Sequence, residues 1–209
     1  MGNNGLDYII EALTKRPSTL RGEMLKNKFK KFDDIFIELI NKRMGNKYLD
    51  YIMYRVTNLG SAPFAAFVIF TMMFFGNNRF KNIGVELFLA LSISQVIVHS
   101  LKILLSRERP YNILEQLNTF GIDLKDYSFP SGHTAASFSL ATTIALNIPK
   151  ISIIVYFLAI IVAISRIYLG VHYPTDVAAG IIIGLFFSII VHVYLLEFVY
   201  NLGERIGIN

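Results

Sequence analysis

The sequence predicts an all-α integral membrane protein: a helical bundle of about five transmembrane helices, with amphipathic interfacial helices at its N-terminus. Three observations predict this class. Hydrophobic residues fill 54% of the 209 positions and the mean hydropathy is +0.50, too apolar for an ordinary soluble domain of this length. Several runs approach the roughly 20 apolar residues that cross a bilayer. Shorter amphipathic patterns, separated by basic residues, precede those runs. The organisation divides at residue 58, into a basic N-terminal segment (1–58) and a transmembrane domain (59–209).

The N-terminal segment carries three apolar stripes with i, i+3, i+4, i+7 spacing. They are Leu6, Ile9, Ile10 and Leu13; then Phe32, Ile35, Phe36, Leu39 and Ile40; then Leu49, Ile52, Met53 and Val56. Each predicts a helix that lies on the membrane and packs by its apolar face. Lys15, Arg16, Arg21, Lys26, Lys28, Lys30 and Lys31 separate the first two stripes. Such a tract suits anionic lipid head groups. A net charge of +5 would also suit nucleic acid, but the apolar remainder favours the bilayer as partner and argues against nucleic acid. The absence of cysteine excludes disulfides, thiolate metal sites and cysteine nucleophiles. The opening Met1-Gly2-Asn3-Asn4 lacks the apolar core of a secretory signal, and Leu6 stands where myristoylation expects Ser or Thr.

Five spans follow. The first, about Ser61 to Phe75, is short enough to need a turn from the preceding helix. The second runs about Ile83 to Leu105, and the third about His133 to Ile148, stopped by Pro149-Lys150. The fourth runs about Ile151 to Leu169 and the fifth about Val177 to Tyr200. A sixth crossing, within Phe32 to Leu59, would have to carry Asp33, Asp34, Glu38, Lys42, Arg43, Lys47, Asp50 and Arg55 into lipid. Short loops make neighbouring spans antiparallel. Ala178, Ala179, Gly180 and Gly184 give the fifth span a small-residue face for close approach. The long connection from Arg107 to Pro130 carries Tyr111, Leu114, Leu117, Phe120, Ile122, Tyr127 and Phe129, and predicts a lid.

Alternation of the spans then gathers polar residues at one end. Lys102, Arg109, Ser131, His133, Arg166, His172 and Asp176 all fall on that side. Three cations at one end would repel unless an anion joined them. Arg offers a planar fork for phosphate and Lys a compact charge. Pro130-Ser131-Gly132-His133 stands at a loop-to-helix junction, where free backbone N–H groups favour an anion and Ser131 is also an expected N-cap. His172 and Asp176 are four residues apart, so the carboxylate can orient the ring and raise the nucleophilicity of its far nitrogen, or can serve as a structural cap. His99 is expected beside this site and His192 as a neutral packing residue towards the other end.

The arrangement Lys102-x6-Arg109-Pro110, then Pro130-Ser131-Gly132-His133, then Ser165-Arg166-x5-His172-x3-Asp176, resembles the three-part signature of the type 2 phosphatidic acid phosphatase (PAP2) superfamily. That superfamily also holds vanadium-dependent haloperoxidases and bacterial acid phosphatases. The resemblance spans roughly Asn58 to His192. The run from Ser165 to Asp176 resembles bacterial membrane members acting on polyprenyl diphosphates and phosphatidyl lipids.

The resemblance implies a catalytic trio. His172 attacks phosphorus, Asp176 orients it, and His133 protonates the leaving oxygen. Lys102, Arg109, Ser131, Gly132 and Arg166 are the phosphate-binding residues it implies. It implies no cofactor and no metal, since fixed cations replace magnesium. The expected substrate is a lipid phosphate, with undecaprenyl diphosphate preferred over phosphatidylglycerophosphate or phosphatidic acid. Haloperoxidase-like activity and non-enzymatic lipid binding are less favoured. No obligate protein partner is expected. The expected location is the cell membrane, with the site at the extracytoplasmic face. The positive-inside rule opposes that face, because five spans put the basic N-terminus and the site on one side.

Overall fold

The computed structural model describes residues 17–114 and 117–195. The chain runs through α1 (Pro17–Ile37), which passes into a π-helical turn at Glu38–Arg43, and α2 (Lys47–Val56), which ends in a 3-10 turn at Thr57–Gly60. Then come α3 (Ala62–Phe75), α4 (Asn78–Leu105), the short α5 (Pro110–Ile113) and α6 (Gly132–Asn147). A 3-10 turn at Pro149–Ile151 leads into α7 (Ser152–Tyr168), and α8 (Pro174–Ile190) continues as a π-helical turn at Val191–Leu195. Local chemistry starts these helices where they start. Asn46, Ser61, Asn77 and Ser131 cap α2, α3, α4 and α6 with side-chain oxygens. Pro174 occupies the first turn of α8, where its missing N–H costs nothing.

Helix α6 is the axis of the bundle. Its sequence is rich in Ala, Ser and Thr, and eleven of its sixteen residues are buried. Helices α3, α4, α7 and α8 all pack on it. The closest approach is made by α8. A Cβ on Gly180 would sit 2.7 Å from the Ser131 carbonyl oxygen, and one on Gly184 would sit 2.6 Å from that of Ala135. The expected small-residue face is therefore in use, and it presses α8 onto the first turns of α6.

Among the described residues, three stretches are long and apolar enough to cross a bilayer alone: those built on α4, α7 and α8. The α2 and α3 segments, bent by 52° between them, make a fourth as a broken span. With α6 at their centre they form the all-α membrane bundle that the sequence predicts. At 16 residues, or about 24 Å, α6 is short, and its Ser and Thr residues leave it less apolar than α3, α7 and α8. Its neighbours enclose it, so it needs little lipid-compatible surface. The first span does draw on the helix before it, as its short length required.

The second N-terminal stripe leaves most of its apolar residues uncovered by protein. Phe32, Ile35, Phe36 and Leu39 stay exposed, while Asp33, Ile37 and Asn41 face the bundle. Apolar side chains need no protein partner where lipid can cover them, and the docked face combines the polar Asp33 and Asn41 with the apolar Ile37 and Ile40. Asn41 bonds the carbonyls of Asn118 and Tyr168, Asp50 accepts from the Tyr168 hydroxyl, and Thr57 accepts from Arg166. These contacts of Asn41, Asp50 and Thr57 fall at the end of the bundle that carries the C-terminus of α7. Among the described residues, therefore, no extra crossing lies between Phe32 and Leu59. The stripe of Leu6, Ile9, Ile10 and Leu13, the cations Lys15 and Arg16, and the end of the fifth span towards Tyr200 lie outside the described residues.

The connection after α4 forms the expected lid. Tyr111, Phe120, Ile122 and Leu124 pack against Tyr168, Leu169 and Val171, and Leu114 and Leu117 rest on the cluster that includes Ile37, Phe138 and Tyr173. Lys28 on α1 and Lys125 in the lid are exposed at this same end. In this cysteine-free chain, Lys28→Cys and Lys125→Cys should react with an impermeant thiol reagent from the same side of sealed vesicles. Labelling from opposite sides would contradict the described topology.

Candidate active site

Four helix ends and the lid bring the predicted residues together around a cavity of about 280 Å³. The C-terminal end of α4 supplies Lys102, the N-terminal turn of α6 supplies Gly132 and His133, and the C-terminal end of α7 supplies Arg166. His172 comes from the turn into α8, and Arg109 and Asp126 from the lid. His99 lines the cavity as expected, one turn before Lys102. Two predicted residues stand behind the wall. The Ser131 hydroxyl lies 2.8 Å from that of Thr134 and caps α6, so its side chain turns away from the cavity. Asp176 is fully buried beneath His172.

Each cation is held by specific partners. Lys102 Nζ donates to Asp126 Oδ2 at 2.5 Å and to the Tyr127 carbonyl at 2.7 Å. Arg109 Nη2 donates to Asp126 Oδ1 at 2.6 Å, and Nη1 to the Val171 carbonyl at 2.8 Å. Asp126 thus clamps both cations of the first motif with its two oxygens. Burial alone would raise its pKa, but Lys102 and Arg109 prevail and hold the carboxyl at about 2. Arg166 is 2% exposed and donates to Thr57 Oγ1 at 2.6 Å. Its Nε has no hydrogen-bond partner among the described residues. A buried guanidinium without a carboxylate is costly, and a bound anion would offset that cost.

The two ring nitrogens of His172 have opposite surroundings. Arg109 Nη1 lies 3.4 Å from Nε2. A guanidinium can only donate, so this contact favours a lone pair on Nε2. On the other side, Nδ1 faces Asp176 Oδ2 at 3.6 Å. That distance exceeds a hydrogen bond, and Nδ1 is otherwise unpartnered among the described residues. Catalytic hydrogen bonds of this kind tighten as the reaction proceeds. Burial drives the His172 pKa down to about 3; Asp176 opposes the fall, and Arg166 and Arg109 add to it. The imidazole is therefore neutral at ordinary pH, the form that can attack an electrophile.

Asp176 is held rigidly by other groups. Its carboxylate accepts from the Ser128 hydroxyl, from the Tyr173 N–H at 2.9 Å and from Arg107 at 2.6 Å. Sequence reasoning missed Asp126, Ser128 and Arg107 as parts of the site. Their one signal was position, as polar residues of an apolar lid flanking the first two motifs. It also missed Glu86. That buried carboxylate accepts from Asn147 at 2.7 Å and lies 2.8 Å from His192 Nδ1. His192 thus has a polar partner, which differs from the packing role expected of it.

Three cations and two histidines thus line one cavity at the end of a helical bundle whose outer helices are apolar enough to cross a membrane. The chain matches the PAP2 superfamily model over residues 83–200. It belongs to that superfamily. It is 34% identical to an undecaprenyl-diphosphatase of Sulfolobus acidocaldarius over 111 residues, which are 53% of this chain and 54% of that protein. It is 30% identical to phosphatidylglycerophosphatase B of Bacillus subtilis, over 66% of this chain and 71% of that protein. The chain spans about half the length of the Sulfolobus relative. Among solved structures it is similar to LpxE of Aquifex aeolicus, with a TM-score of 0.69 and 33% identity, covering 78% of this chain and 95% of that one. The structure of a transmembrane PAP2-type phosphatidylglycerolphosphate phosphatase from Bacillus subtilis shares the fold, with a TM-score of 0.63 over 91% of this chain and 92% of that one.

Asp126 competes with any anion for Lys102 and Arg109. Asp126→Asn should therefore bind orthovanadate more tightly, by roughly threefold to tenfold, or about 1 kcal/mol. Isothermal titration of the detergent-solubilised protein reads this directly. Unchanged or weaker binding would show that Asp126 holds the cations in place and does not compete for them.

Proposed function

We propose that this chain is an integral membrane lipid phosphatase, hydrolysing a phosphate ester or diphosphate of a lipid through a phosphohistidine. The observation that carries this reading is the cavity wall: Lys102, Arg109 and Arg166 beside His133 and His172, with the Arg166 Nε unpartnered among the described residues. Transfer of a phosphoryl group needs charge stabilisation and positioning more than anything else. His172 Nε2 forms a bond to phosphorus while the bond from phosphorus to the lipid-side oxygen breaks. His133 gives its proton to that oxygen. Water then attacks the phosphohistidine, His133 takes a proton from it, and inorganic phosphate leaves with His172 restored. Lys102, Arg109, Arg166 and the Gly132 backbone stabilise the phosphoryl oxygens throughout. Ser131 contributes by capping α6 and so fixing the turn that presents Gly132 and His133.

The preferred substrate is undecaprenyl diphosphate, whose leaving group would be undecaprenyl phosphate. The similarity to the Sulfolobus undecaprenyl-diphosphatase supports it. Phosphatidylglycerophosphate is the second reading, supported by the Bacillus relative. An apolar groove of about 160 Å³ lies between α3, α6 and α7, lined by Phe64, Val68, Leu140, Ile144, Leu158 and Val162. The family resemblance favours the extracytoplasmic face of the cell membrane. The basic residues of α1, which docks at the site end, favour the cytoplasmic face by the positive-inside rule.

Purified protein in detergent should release phosphate from a polyprenyl diphosphate in the presence of EDTA. His172→Ala should lower turnover by about 10⁴-fold or more while the protein elutes and melts as the parent does. Release from none of a panel of polyprenyl, phosphatidyl and lipid A phosphates would sink the phosphatase reading. Near-normal activity of His172→Ala would sink the nucleophile assignment.

A further inference from the structure

Helix α1 lies outside the stretch that matches the family model, yet through Arg107 it is linked to the buried carboxylate behind His172. Asp33 of α1 is 1% exposed. It accepts from the Thr175 N–H at 3.0 Å, from the Thr175 hydroxyl at 2.6 Å and from Arg107 Nη2 at 2.7 Å. The same guanidinium turns Nη1 to Asp176 Oδ1 at 2.6 Å and to Thr175 Oγ1 at 2.8 Å, and it lies 4.0 Å from the centre of the Tyr173 ring. Arg107 is thus one cation shared between two buried carboxylates. Thr175 belongs to the first turn of α8, where free N–H groups and the helix dipole favour an anion. Asp33 supplies that anion from another helix.

We propose that Asp33 is a positioning residue of the catalytic site, acting through Arg107 to set the orientation and effective charge of Asp176. The N-terminal helix is then part of the machinery that readies His172, given the phosphatase reading above. The chemistry follows from the charge count. Asp33, Arg107 and Asp176 together carry one net negative charge behind the His172 ring. Without Asp33, Arg107 would neutralise Asp176 alone. The carboxylate would become a poorer acceptor for the Nδ1 proton, and Nε2 a weaker nucleophile. Lys102, Arg109 and Arg166 do not touch Asp33, so phosphate binding would stay. Loss of Asp33 should therefore act on kcat and spare KM.

The test uses the full chain in detergent and the near-isosteric Asp33→Asn variant, with Arg107→Lys and Arg107→Gln beside it. Asp33→Asn should lower kcat about tenfold with KM changed by less than about twofold, the size expected when a group behind a reacting residue is lost. Arg107→Lys keeps the charge without the fork and should fall between the parent and Arg107→Gln. The His172 ring nitrogens, followed by 15N NMR and identified by their loss in His172→Ala, should shift in Asp33→Asn while orthovanadate affinity stays at the parent value. Unchanged kcat and an unchanged His172 spectrum would overturn the proposal. So would a parallel loss of kcat, vanadate binding and thermal stability, which marks a purely structural contact. Should Asp33→Asn fail to fold, the two Arg107 variants read the same coupling. Should the parent chain release no phosphate, the phosphatase reading falls, and the His172 spectrum still decides the coupling.

Discussion

Three cations buried together at one end of a helical bundle set the terms for the rest of this molecule. Lys102, Arg109 and Arg166 face one cavity, and both arginines are 2% exposed. Charges of one sign in a low-dielectric setting repel strongly and lose their hydration. The fold answers with fixed acceptors. Asp126 and the Tyr127 and Val171 carbonyls hold Lys102 and Arg109, and Thr57 holds Arg166. These acceptors come from the lid, from the turn before α8 and from the turn before α3. The lid is therefore an integral wall of the site. Its apolar residues anchor it so that its polar ones can face the cations.

The same constraint explains why α6 sits at the centre. Presenting Gly132 and His133 beside the cations requires the start of α6 to lie deep among its neighbours. Ala, Ser and Thr along α6, with Gly180 and Gly184 on α8, allow the backbones to approach that closely. The hydrogen bond from the Ser131 N–H to the Asp176 carbonyl, at 3.0 Å, then ties the starts of the two helices together. Asp176 and His133 are so placed by one junction, and the half-buried Arg107 and the buried Asp33 brace it from behind.

Much of this was legible in the sequence. Hydropathy placed the long helices α4, α7 and α8, and the order of span ends put the motif residues on one side, where the cavity lies. Pairings between distant residues were not legible. Asp33 and Arg107 are 74 positions apart, and nothing local marks them as partners. The amphipathic stripe on α1 identified a helix, but apolar periodicity does not say which residues of its other face dock on the bundle. Asp33 therefore looked like a solvated or membrane-averse charge, although it is among the most buried carboxylates described. Asp126 was hidden by its lid, whose aromatic residues drew the attention. The extent of α6 was legible, since the span expected at about His133 to Ile148 is the helix Gly132–Asn147.

The central claim is that this end of the bundle holds a phosphate so that His172 Nε2 attacks it. The most direct measurement is a rapid-quench single turnover with a polyprenyl diphosphate labelled at its terminal phosphorus. The account predicts a transient protein-bound label, stable to base and labile to acid, that maps by mass spectrometry to His172. Release of labelled phosphate with no such intermediate, or a label on any other side chain, would contradict it.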